Sequence, residues 1–137
     1  MRNIIVVGLI AGVAMFVVSL AFGPICQVLF PALKAEYENP ALFRPWSDPL
    51  MTLFFAYPFI QGIMLAWVWS KVKVLFKKGK DWEKGVKFGL IYWILGFLGM
   101  FVTYTTFPVS LMMVLSWWLS MLISLPVAGI IYAKLMK

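Results

Sequence analysis

No Lys, Arg, Asp or Glu occurs between Arg2 and Lys34, between Asp48 and Lys71, or between Lys87 and Lys134. These gaps hold 31, 22 and 46 residues, and all 17 charged side chains fall outside them. A hydrocarbon layer about 30 Å thick is crossed by about 20 apolar residues as helix, so the gaps hold one, one and two spans. The pattern predicts an all-α fold: one four-helix transmembrane bundle over residues 1–137. Helices are expected over about 4–30, 49–70, 82–104 and 108–133, with an outer loop at 31–48 and a basic inner loop at 71–81. Composition agrees, because 64% of the residues are hydrophobic and only 12% charged, against about a quarter charged in soluble domains.

The net charge of +7 is unevenly placed. Seven of the twelve basic residues are Lys71, Lys73, Lys77, Lys78, Lys80, Lys84 and Lys87, and Arg2, Lys134 and Lys137 lie near the chain ends. With an even number of spans these ten share one side, opposite Lys34 and Arg44. The positive-inside rule then predicts N-in, C-in topology in a cell (cytoplasmic) membrane, multi-pass. The expected partner of the Lys71–Lys87 rim is anionic inner-leaflet lipid, at about 1 kcal/mol per basic residue; nucleic acid is not expected.

Met1-Arg2 followed by an apolar run has the outline of a signal peptide, with Ala21-Phe22-Gly23 as a weak cleavage site. The run exceeds the usual 7–15 residues of such a segment, so an uncleaved first helix is expected. Gly23-Pro24 is expected to kink it. In the outer loop, Pro31–Glu38 reads as a short helix with proline in its first turn, stopped by Asn39-Pro40. Leu42, Phe43 and Trp46 are too apolar for a solvated loop and are expected against the bundle or in the headgroup zone. Asp48-Pro49 reads as the N-cap and first residue of the second span, and Asp81 as the N-cap of the third.

Helices in lipid associate through small residues that let backbones approach. The third span places Gly85, Gly89, Gly96, Gly99 and Thr103 within a band roughly 80° wide at 100° per residue. The first carries Gly8, Gly12, Ser19 and Gly23, the second Gly62, Ala66 and Ser70, and the fourth Ser116, Ser120, Ser124 and Ala128. These stripes predict packing within the bundle, with a homodimer or a larger membrane complex as the other use of one face.

Gln61 stands near the middle of the second span, where an unpartnered amide is most costly. It is expected to point inward, with Tyr57 one turn away. Cys26, Gln27, Tyr57, Thr103, Tyr104, Thr105, Thr106 and Ser110 gather toward the outer side, beneath a loop carrying Glu36, Tyr37, Glu38, Arg44, Trp46 and Asp48. Gln61, Tyr57, Gln27, Tyr104, Arg44 and Trp46 are therefore the candidate ligand-binding set, in an outward-facing pocket lidded by the loop. No metal or cofactor is expected: there is no histidine and one cysteine, too few for haem, catalytic zinc or an iron–sulfur cluster. The charge-free spans also speak against an intramembrane carboxylate relay. No glycine-rich phosphate loop occurs.

The stretch Gly85–Phe97 (GVKFGLIYWILGF), the close of the fourth span at Pro126–Ala133 (PVAGIIYA) and the Gly23-Pro24 end of the first span before a Pro/Trp-containing loop resemble small uncharacterised four-helix membrane families of bacteria and archaea. The resemblance implies a four-helix fold and carries no activity and no functional residue. In size the chain is also similar to small multidrug exporters and fluoride channels, but the exporter pattern expects a carboxylate in the first span, where this chain has none. The expected function is a non-enzymatic membrane protein that binds an apolar or amphipathic ligand in the outward pocket or serves as an accessory subunit. The alternative is an oligomeric small-solute transporter or channel with Gln61 on the path. A lipid-modifying enzyme comes third, since Glu36, Glu38 and Asp48 could act as acid and base only if grouped.

Overall fold

A computed structural model describes the backbone from Arg2 to Lys137 and the side chains from Asn3 onward. Met1 and the Arg2 side chain, counted above with the basic end, lie outside the described residues. The chain is all-α, with helices α1 (Arg2–Leu29), α2 (Pro31–Tyr37), α3 (Tyr57–Val72), α4 (Asp81–Thr106) and α5 (Leu111–Leu135). Four helical stretches, Asn3–Leu29, Pro49–Leu75, Asp81–Thr106 and Leu111–Leu135, are long and apolar enough to cross a membrane. Only 17–28% of each one's most apolar window is buried within the protein. So much exposed apolar surface is compatible with a multi-pass membrane protein.

The helix ends differ from the sequence expectation in ways that follow from local chemistry. α1 continues through Pro24 without ending. The second span opens as a 3-10 stretch, Pro49–Ala56, and becomes α-helical only at Tyr57. Pro58 has no N–H for the carbonyl four residues back, so the change of winding falls beside it. Asp48 does cap that stretch, accepting from the Leu50 N–H at 2.9 Å. A 3-10 turn at Lys73–Leu75 prolongs the same rod, so the basic linker shrinks to residues 76–80. Asp81 is the first residue of α4 rather than its cap. Lys80 holds the cap position, where the Glu83 carboxylate accepts from its backbone N–H at 3.1 Å. α5 starts at Leu111 and not Pro108, because the Ser110 hydroxyl caps it by accepting from the Met113 N–H at 3.1 Å.

α1 packs against α3 on one side and α5 on the other, and α4 packs on α5. The lateral order is therefore α3–α1–α5–α4. Two backbone-on-backbone seams hold it. In the first, a Cβ built on Gly8 would stand 2.5 Å from the Ile63 Cα, one on Gly12 would stand 2.8 Å from the Phe59 Cα, and one on Gly62 would meet the Gly8 carbonyl oxygen. In the second, a Cβ on Gly85 would stand 2.5 Å from the Gly129 carbonyl carbon, one on Gly89 would stand 2.5 Å from the Pro126 Cα, and one on Gly129 would meet the Gly85 oxygen. The phenol of buried Tyr132 links the two seams, donating to the Gly62 carbonyl at 2.9 Å.

Nearly all the core lies toward the lysine-rich end, around Val7, Ala11, Met15, Trp69, Phe88 and Tyr132. Toward the loop end the contacts are between large rings. Trp93 and Trp118 stack with centroids 4.2 Å apart, and each indole N–H donates to the other's backbone carbonyl, at 2.9 and 3.2 Å. This reciprocal pair satisfies two polar groups at mid-span without any third partner. The small-residue stripes accordingly divide. Gly8, Gly12, Gly85 and Gly89 sit in seams, and Ser124 is buried. Gly96 would meet only the flexible end of Met121, and Gly99 faces open space. Ser116 and Ser120 are half-buried, the first donating to the Met113 carbonyl of its own helix.

Candidate functional site

The loop end is organised by α2. Pro31 supplies a preset first turn, and Asn39 halts the helix by accepting from the Ala41 N–H at 2.9 Å. Leu33 is fully buried and anchors the helix. One turn later Glu36 reaches across 74 residues to α5: Oε1 accepts from the Ser110 N–H and Oε2 from the Ser110 hydroxyl, both at 2.6 Å. A carboxylate held at a helix N-terminus by two donors is a strong, charge-assisted pin. Beside it the Trp117 indole donates to the Tyr37 hydroxyl. Tyr37 stacks on Phe43 at 5.5 Å, and Phe43 meets Trp117 edge-on at 6.2 Å. Burial pushes the Tyr37 phenol above its usual range and outweighs the opposing hydrogen bond from Trp117. Tyr37 therefore works as a neutral hydrogen-bonding group.

Under this cap lies a cavity of about 260 Å³ lined by Ala41, Leu42, Phe43, Thr103, Phe107, Pro108, Val109 and Trp117. Its polar side chains are already partnered: Thr103 donates to the Gly99 carbonyl at 2.9 Å, and the Trp117 indole is taken by Tyr37. The remaining lining is apolar, so the cavity suits hydrocarbon. Its volume falls just below the roughly 300 Å³ lower limit of ordinary small-molecule pockets. That is room for part of an amphiphile.

None of the six residues singled out in the sequence lines this cavity. Gln61 is half-buried on α3, one turn after Tyr57, which is itself exposed. α3 packs chiefly on α1, away from the cavity wall made by the α4–α5 connection. Gln27 is half-buried near the end of α1, and Tyr104 is exposed on α4. Arg44 pairs with Asp48 at 2.8 Å, and Trp46 lies 68% exposed with its ring on Phe55 at 5.9 Å. Leu42 and Phe43 lie against the helices, as their apolarity required. The sequence places Glu36 and Tyr37 in the lid and Phe43 against the bundle; what it does not show is their grouping with Trp117 and Ser110. The Ser110 cap and the short helix carried a signal, but nothing linear pairs residues 74 and 80 positions apart.

The loop carboxylates have separate partners: Glu36 on Ser110, Glu38 beside Lys34 at 3.9 Å, and Asp48 on Arg44. Among the described residues no three of Cys, Asp and Glu gather to hold a metal ion. The Arg44 guanidinium and then the Leu50 N–H hold the exposed Asp48 carboxyl below the usual range. This cap is expected to be fully present above the unfolded aspartate value of about 3.9 and lost as pH falls through the lower folded value. An NMR titration of the Leu50 amide in micelles should therefore show its midpoint below about 3.9; a midpoint at or above that value would remove Asp48 as the cap. Comparison with protein families, curated proteins and solved structures returned no match to this chain.

Proposed function

We propose that the protein is a multi-pass, non-enzymatic membrane protein that binds the apolar part of an amphiphile at the loop end, in the cavity beneath the α2 cap. The observation that supports this is the cavity's chemistry. Its wall is hydrocarbon and aromatic, its polar atoms are already satisfied, and its roof is pinned by Glu36 and Tyr37. Positive-inside placement would put that roof outside the cell and the lysines within.

Dodecanoate binding to the purified chain, followed by native mass spectrometry, tests the reading. Ala41 is exposed at the cavity wall, so Ala41→Trp should fill the cavity while leaving the fold intact, weakening binding roughly tenfold through lost apolar burial. Trp46→Ala, outside the cavity, should leave binding unchanged. Undiminished binding by Ala41→Trp would sink the proposal. A second reading, a subunit of a homo-oligomer or larger complex, is favoured by one observation: the outer half of α4 presents Gly99 and its apolar neighbours Leu95 and Val102 to open space.

A further inference from the structure

At the opposite end, Leu75, Phe76, Lys77, Lys78 and Lys87 line a cleft of about 370 Å³. Its floor is fixed: Phe76 packs on Trp69 at 5.4 Å and on Phe88 at 6.3 Å, and both partners are buried core. Lys77 and Lys78 come from the linker after the Lys73–Leu75 turn and Lys87 from α4, so two separate elements bring three lysines to one cleft. Gly79 allows this, since its φ of 103° lets the linker turn back at once into α4.

The charge at this end is unbalanced. Its only side-chain carboxylates are Asp81 and Glu83. Asp81 is occupied by Lys137 at 3.3 Å and Lys84 at 3.9 Å, and Glu83 by the Lys80 backbone N–H. Among the described residues none of the three cleft lysines has an ion-pair partner. Like charges crowded into one concavity favour an anion between them. The adjoining surface is the reverse in character: Val74 and Leu75 are 64% and 75% exposed, at the end of a rod apolar enough to cross a membrane. A ligand satisfying both walls carries a phosphate-type anion at one end and hydrocarbon at the other.

We propose that this cleft is a discrete site for an acidic phospholipid, its phosphate held among Lys77, Lys78 and Lys87 and an acyl chain lying along Leu75 and Phe76. This differs from diffuse attraction to a basic rim, in which every lysine counts equally. The site is independent of the loop-end cavity.

The test is native mass spectrometry of the full chain, delipidated in detergent and titrated with dioleoyl phosphatidate or dioleoyl phosphatidylcholine. One phosphatidate per chain is expected, with roughly tenfold or greater preference over phosphatidylcholine. Removing the cleft charges in K77Q/K78Q/K87Q should abolish that preference, and K77R/K78R/K87R should restore it. The equal-charge control K71Q/K80Q/K134Q, on the same rim outside the cleft, should keep it. Equal loss in both glutamine variants would reduce the effect to general rim attraction and overturn the site. Complete displacement by inorganic phosphate alone would assign the cleft to a free phosphate and overturn the lipid.

Discussion

Gly129→Ala is expected to destabilise the protein by about 2 kcal/mol, although alanine is the better helix former. The helix-propensity gain is at most about 1 kcal/mol. Against it stands a methyl group placed on the Gly85 backbone oxygen, an atom that cannot turn aside as a side chain does. α4 and α5 must then separate along the seam, and overpacking of this kind costs about 1–3 kcal/mol or more. Gly62→Ala should behave alike, since its methyl meets the Gly8 oxygen and any shift of Gly62 also disturbs the carbonyl that Tyr132 binds. Unfolding in detergent by increasing SDS fraction measures both. Gly99→Ala is the matched control, because its new methyl meets nothing. It should be neutral or slightly stabilising in the monomer. If Gly129→Ala proves as stable as Gly99→Ala, the seam does not hold the helices together. A loss of oligomer confined to Gly99 variants would favour the subunit reading.

Glu36→Ala is expected to release the α2 cap while the helices stay folded. The carboxylate accepts two short hydrogen bonds from Ser110, and charge-assisted bonds are each worth about 1.5–3 kcal/mol before solvent screening. Partial exposure reduces the pair to about 2 kcal/mol in total. The cap also rests on Leu33 and on the Tyr37–Trp117 contact, so it should loosen and not detach. Limited proteolysis within residues 38–48 should accelerate about tenfold or more, following the population of the opened state. Dodecanoate affinity should fall with it. Ser110→Ala should show a smaller effect, because the Ser110 N–H bond to Glu36 survives. Unchanged proteolysis of Glu36→Ala would mean that the loop is held by its aromatic contacts alone.

The proposed ligand site moved between sequence and structure for a physical reason. Gln61 drew attention because an amide within a long apolar helix is costly, yet it sits on α3, which packs chiefly on α1, away from the cavity at the α4–α5 connection. Trp117, by contrast, carries no signal of its own in the linear sequence, and its role depends on Tyr37, which arrives from a helix 80 residues earlier. The glycine stripes were legible as faces but not as contacts. Gly85 and Gly99 share a face of α4, and only the first meets a backbone.

The sequence by itself determined that four helices are long and apolar enough to cross a membrane, and which chain segments join them. It could do so because the cost of a charge in hydrocarbon is paid residue by residue, so a one-dimensional list of charges records it. It also determined the cap at Asp48, whose bond to the Leu50 N–H closes within two residues. Only the tertiary structure decided that α1 stands between α3 and α5, that Tyr132 ties two glycine seams, that Glu36 pins the loop to α5, and that three lysines share one cleft. Each of these depends on which helices become neighbours and at what rotation. Helix surfaces that are apolar all round leave that choice to the fit of the backbones.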